Sequence, residues 1–199
     1  MSTQERIVRS MAELLRVQGY AATGMNQLVA ASGAPTGSIY HHFPGGKVAV
    51  AAAALRETGA AYIQLLPLLL DPYDDLATGV EAAFVQAAED IETTGWANLC
   101  PVGTVTGEVA GSVPELRDVA DEVIAGWVDE GTRYLTGRGL APADARTLIY
   151  AVIAALEGGF ILARGQQSRE PLHAAGRALA AYVATLPIHA PPATSPSAR

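Results

Sequence analysis

The sequence predicts an all-α protein: a small N-terminal head of three helices carrying a helix-turn-helix, then a larger helical body. Three observations lead there. Apolar residues recur at i, i+3 and i+4 through nearly every long stretch, and no stretch reads as a strand. Proline opens several of these stretches (Pro101, Pro114, Pro142) and glycine closes others (Gly19, Gly33, Gly111), as helix ends favour. Half of the 199 residues are hydrophobic but only 6% are aromatic, and abundant alanine favours closely packed helices.

In chain order, Ser2 and Glu5 have capping-box spacing, and Ile7, Met11, Leu14 and Leu15 form the stripe of a first helix that Gly19 stops. Thr23 or Gly24 caps a short second helix with Met25, Leu28 and Val29 on its buried side. Gly33 suits the left-handed position that ends it. Pro35 fits the first turn of a third helix, where Ile39 and Phe43 point at the core and Thr36, Gly37, Tyr40 and His41 point away. Two short helices around a glycine-containing turn, the second showing small and hydrogen-bonding residues, form a helix-turn-helix pattern. Pro44-Gly45-Gly46 breaks the chain, and Lys47 begins an Ala-rich connector expected to run to Leu66 or Leu70.

The body continues in helices. Leu76, Val80, Phe84, Ala87 or Ala88, and Ile91 share one face. Pro101 opens a short helix with Val102, Val105 and Val109, and Pro114 a long one through Leu116, Val123, Trp127 and Tyr134. Pro142 opens a helix apolar almost all round from Leu148 to Phe160, which predicts burial on every side. Leu172, Ala175, Leu179, Val183 and Leu186 mark an amphipathic last helix, and residues 187–199 read as a disordered tail. The expected division is 1–47 for the head, 48–186 for the body and 187–199 for the tail.

The run SGAPTGSIYHHFPGGK resembles the DNA-binding signature of the tetracycline-repressor (TetR) family of bacterial regulators. TGMNQ before it and PGGK within it resemble one branch, the LmrA/YxaF-like multidrug repressors. The match covers about residues 5–50, with a shorter echo at Cys100-Pro101-Val102. One departure is Thr36, where this branch often has Lys. The resemblance implies that Thr36, Gly37 and Ser38 approach base edges, that Tyr40 and His41 reach phosphates, and that Lys47 meets a phosphate at the start of the fourth helix.

Charge supports the division. Residues 1–56 carry Arg6, Arg9, Arg16, Lys47 and Arg56 against Glu5 and Glu13, a balance of +3 in a chain of net charge −7. The remainder is strongly acidic, which suits a DNA-reading head on an acidic body. A single cysteine excludes an internal disulfide and a Cys-based zinc site. Glu5, Arg6 and Arg9 interrupt any apolar leader, and the apolar stretch Thr147–Ala163 falls short of the roughly 20 residues of a membrane span. The expectation is a soluble, cytoplasmic protein without a membrane partner.

Other chemistry finds little support. His41 and His42 point about 100° apart on a helix and lack a third ligand at i+4, so no metal is expected; His41 is assigned outward and His42 inward. Pro44-Gly45-Gly46-Lys47-Val48 lacks the earlier glycine and the Ser or Thr of a phosphate loop. No nucleophile elbow occurs, so no catalytic residue, enzyme activity or cofactor is expected. Cys100 precedes a helix start that could activate a thiol, although a small buried hydrophobe is the simpler reading. Trp96, Trp127, Tyr134, Tyr150 and Phe160 either fill the core or line an apolar cavity. Asn98, Cys100, Thr104, Glu108 and Glu157 are candidates for contacts in such a cavity. Ala154, Ala155, Gly158, Gly159, Ala175 and Ala178 would let the last two helices pair closely with a second copy. The combined expectation is a homodimeric transcriptional repressor that leaves a palindromic double-stranded DNA operator when an apolar small-molecule effector binds. The competing class is a helical small-molecule-binding protein or enzyme that retains a basic three-helix head.

Overall fold

The computed structural model of the chain describes residues 1–97 and 99–188. Ten helices account for its order among the described residues: α1 (Thr3–Gln18), α2 (Met25–Ser32), α3 (Thr36–His42), α4 (Gly46–Ile63), α5 (Leu65–Leu70), α6 (Leu76–Thr93), α7 (Pro101–Val109), α8 (Pro114–Gly137), α9 (Pro142–Gln166) and α10 (Glu170–Val183). The one β feature among them is an isolated bridge between Leu140 and Ile188.

Local chemistry explains the boundaries. The Glu5 amide donates to Ser2 Oγ at 3.1 Å while the Ser2 amide donates to Glu5 Oε2 at 2.7 Å, closing the capping box that starts α1. Gly24 caps α2, its N–H donating to Gln27 Oε1 at 2.8 Å, and Gly33 ends that helix at φ +62°. Pro35 stands one residue outside α3, as its N-cap, rather than within the first turn. The connector is shorter than expected: α4 stops at Ile63, and Gln64 separates it from α5. Pro67 accounts for this, because it has no N–H to offer the carbonyl four residues back.

Buried side chains form two clusters. One joins α1–α3 to α4, α7 and the first half of α8 through Ile7, Met11, Leu28, Ile39, Leu55 and Val102. The other lies among α6, α8, α9 and α10 around Phe84, Leu135, Leu148 and Leu172. Helices approach closely where glycine allows it. A Cβ on Gly59 of α4 would collide with Val123 of α8, and one on Gly159 of α9 would collide with Leu172 of α10.

The expectation that α9 is buried on every side is not met. Tyr150 is 48% exposed, Ile161 62% and Leu162 55%. These fall on one stripe with Ala154 and Gly158, while Ile149, Gly159 and Ala163 face the fold. Of the small residues named for close pairing, Ala154 and Ala178 are exposed, whereas Gly159 serves the internal contact with α10. At 25 residues and mean hydropathy 1.6, α9 is long and apolar enough to cross a membrane by length and composition, and 22% of its apolar window is buried. The apolar stretch counted in the sequence was shorter than the helix that contains it.

Candidate nucleic-acid interface and internal cavity

The head is built outward from Ile39. This residue is fully buried and, with Phe43, fixes which side of α3 faces the core. A helix so anchored must turn Thr36, Gly37 and Tyr40 outward; all three are exposed, and Ser38 is half-buried. Tyr40 is 48% exposed, and its ring lies along the start of α4, where a Cβ on Gly46 would come 3.3 Å from Tyr40 Cε1. Gly46 has φ +62°, a conformation glycine adopts without strain. His41 is exposed as expected. His42 is exposed too, contrary to its inward assignment, with the two rings 5.2 Å apart edge to face.

Lys47 does not project freely. Its Nζ donates to the Tyr20 carbonyl at 2.6 Å and sits 3.9 Å from the centre of the Tyr20 ring. Desolvation lowers its pKa, while the Glu108 charge acts in the opposite sense. Glu108 reaches the same turn, accepting from the Tyr20 amide at 2.8 Å and the Ala21 amide at 2.9 Å. The α1–α2 turn is thus held from two sides, by α4 and by α7.

The body holds a cavity of about 440 Å³ that is partly open to solvent. Its wall is mostly apolar, from Leu66, Phe84, Leu148, Val152, Leu156 and Phe160. Trp127 and Tyr62 stack there at 6.3 Å between ring centres, 14° from parallel. Trp127 Nε1 donates to the Gly59 carbonyl at 2.8 Å, tying the wall to α4. Cys100 and Glu157 supply polar atoms. Burial pushes the Cys100 thiol well above its ordinary pKa, with the neighbouring Glu157 charge adding to it. An unreactive, protonated thiol is the consequence. Burial also raises the Glu157 carboxyl, opposed by its hydrogen bond with Cys100, and pushes Tyr62 up to about 12.

An exposed polar face on a short helix-turn-helix, joined to a body with a mostly apolar cavity, invites comparison with known proteins. Residues 7–54 match the family model of bacterial regulatory proteins of the tetR family, and residues 77–178 match the C-terminal domain of LmrA/YxaF-like transcriptional regulators. The chain is 32% identical over 170 residues to the HTH-type transcriptional regulator YxaF of Bacillus subtilis, covering 85% of this chain and 89% of that one. The chain belongs to the TetR family. It is a DNA-binding transcriptional regulator of the LmrA/YxaF-like branch and not an enzyme. LmrA of Bacillus subtilis is 30% identical over 170 residues, 85% of this chain and 90% of that one. A TetR transcriptional regulator from Chloroflexus aurantiacus superposes with a TM-score of 0.75 at 28% identity, covering 94% of this chain and 97% of that one.

In this TetR-family regulator the predicted site residues divide into groups. The structure brings Cys100, Trp127, Glu157 and Phe160 to the cavity wall. Trp96, Thr104, Glu108 and Tyr134 are not on that wall. Trp96 instead packs on the second core cluster at φ +63°, and Tyr134 donates its hydroxyl to Asp71 Oδ1 at 2.6 Å. Glu108 points at the head. Asn98 lies outside the described residues, as do positions 189–199 of the predicted tail. The sequence reading missed Tyr62, the leucines of α5 and Phe84 on the wall. One signal was present: Leu65-Leu66-Pro67-Leu68-Leu69-Leu70 is too apolar for a solvent-facing linker.

Proposed function

We propose that this regulator is a cytoplasmic repressor, released from a palindromic operator by an apolar small molecule held in the body cavity. Residues 1–47 read double-stranded DNA, and residues 48–186 bind the effector and form a homodimer. Thr36, Gly37 and Ser38 approach base edges, while Tyr40 and His41 reach phosphates together with the uncapped start of α4. Lys47 stands beside that start, but its ammonium must leave the Tyr20 carbonyl to reach a phosphate.

The observation that carries the reading is α4 itself. Its first residue underlies Tyr40, and its last turn supplies Tyr62 and Ile63 to the cavity. Eighteen helical residues span about 27 Å, so one rod joins the reading surface to the ligand wall. A ligand that wedges Tyr62 away from Trp127 tilts that rod and moves the head. In a dimer, a change in the spacing of the two heads removes their match to fixed half-sites.

The dimer face is supported by the exposed stripe of α9 together with Ala174, Ala178 and Ala181 of α10. Small residues between large apolar ones allow a second copy to approach closely around a two-fold axis. An electrophoretic mobility shift on DNA upstream of the chain's own coding region tests the function. A shift that Tyr40→Ala weakens and an apolar ligand reverses supports it. No shift at micromolar protein contradicts it.

A further inference from the structure

The cavity contains a charge that the apolar-effector reading does not use. Glu157 is mostly buried on the wall, and among the described residues no basic side chain forms a salt bridge with it. Its hydrogen-bond partner is the Cys100 thiol, a weak donor. Among the described residues the one basic side chain on the wall, Arg16, is paired with Glu13. The other acidic wall residue, Asp90, is solvent-exposed and accepts from Gln86 at 2.9 Å.

The carboxylate is also given room. Gly103, in the first turn of α7, lies directly against it, and a Cβ there would collide with the Glu157 oxygens. A carboxylate on a mostly apolar, largely desolvated wall without a cation costs free energy, and a ligand cation can remove that cost. We propose that the effector class is an amphiphilic cation, an apolar or aromatic body bearing an ammonium or amidinium group, whose charge is read by Glu157. This rests on the cavity being the effector site and specifies which apolar molecules it selects.

The surroundings favour this over an anion or a purely neutral ligand. Tyr62 and Trp127 present stacked aromatic rings on the same wall, and aromatic faces attract ammonium groups. Leu66, Phe84, Leu148 and Leu156 supply the apolar surface for the rest of the molecule. The volume of about 440 Å³ falls in the range that holds small organic ligands. An anionic ligand would face Glu157, and Arg16 is already engaged by Glu13.

Paired probes test the proposal: a phenylbutyl-trimethylammonium ion, and the uncharged isostere carrying a tert-butyl group in its place. Trp96→Phe leaves Trp127 as the single tryptophan, and its fluorescence reports occupancy in the full-length protein. The cation is expected to bind at least ~10-fold tighter than the isostere, a difference of about 1.4 kcal/mol. Glu157→Gln should abolish that preference while leaving the isostere's affinity intact, and Asp90→Asn should preserve it. Equal binding of the two probes, or a preference that survives Glu157→Gln, overturns the charge reading and leaves the apolar cavity standing. Binding of neither probe, with circular dichroism showing folded protein, overturns both.

Discussion

Glu157 is partly desolvated on a mostly apolar wall, and that should be visible in stability as well as in ligand choice. Burial raises its pKa in the folded chain, so between the ordinary carboxylate value and the raised one the folded state holds a proton that the unfolded state has released. Stability from this group is full at low pH and is lost as pH rises through the raised value. Glu157→Gln should therefore raise the melting temperature at about pH 8 and have little effect near about pH 4. Thermal melts across that range check it, and a gain confined to acid would reverse the assignment. Lys47 is the second residue with a defined expectation. Lys47→Met removes its bond to the Tyr20 carbonyl and should destabilise the head by about 1–2 kcal/mol. It should lower the salt dependence of operator binding by less than the ~0.9 of a full phosphate contact. Operator titrations at several salt concentrations measure this; a full drop means that Lys47 swings to DNA in the complex. Residue roles of this kind were only partly legible in the sequence. The outward side of α3 followed from Ile39 and Phe43. The destinations of Glu108 and Lys47 did not, because both bond to backbone atoms of a turn distant along the chain, and no periodicity encodes that.

Among the elements, α4 and α7 both hold the head at the α1–α2 turn, and each contact has its own test. Gly59 lets α4 lie against Val123, and its carbonyl receives the Trp127 indole. Gly59→Val should overpack this crossing and cost about 1–3 kcal/mol, measured by denaturant unfolding. On the α7 side, Gly19 has φ +79°, and a Cβ there would strike the Glu108 carboxylate. Glu108→Ala frees the Tyr20 and Ala21 amides, so hydrogen exchange at those two positions should accelerate while α10 stays protected. Unchanged exchange would mean that α7 does not restrain the turn. At this scale the sequence was most informative. Proline and glycine punctuation located α7, α8 and α9, and the capping box located α1. The connector was overextended because its Ala-rich pattern continues past Ile63, and only the missing N–H of Pro67 marks the break.

At the scale of the whole molecule, the single chain leaves bare the stripe of Tyr150, Ala154, Ile161 and Leu162 on α9. That stripe looked like core in the sequence, since periodicity cannot distinguish burial within a chain from burial between two copies. If α9 and α10 pair around a two-fold axis, Leu162→Glu should give a monomer by sedimentation and lose operator binding, because a palindrome is read by two heads about 34–36 Å apart. The central claim is that occupancy of the body cavity and release of DNA are one event. Its most direct measurement uses Trp96→Phe protein on labelled operator, titrated with the phenylbutyl-trimethylammonium ion. Trp127 fluorescence and DNA anisotropy are followed in the same sample. The account predicts that both signals change together over one range of ligand concentration. Trp127 responding fully while the operator stays bound would contradict it.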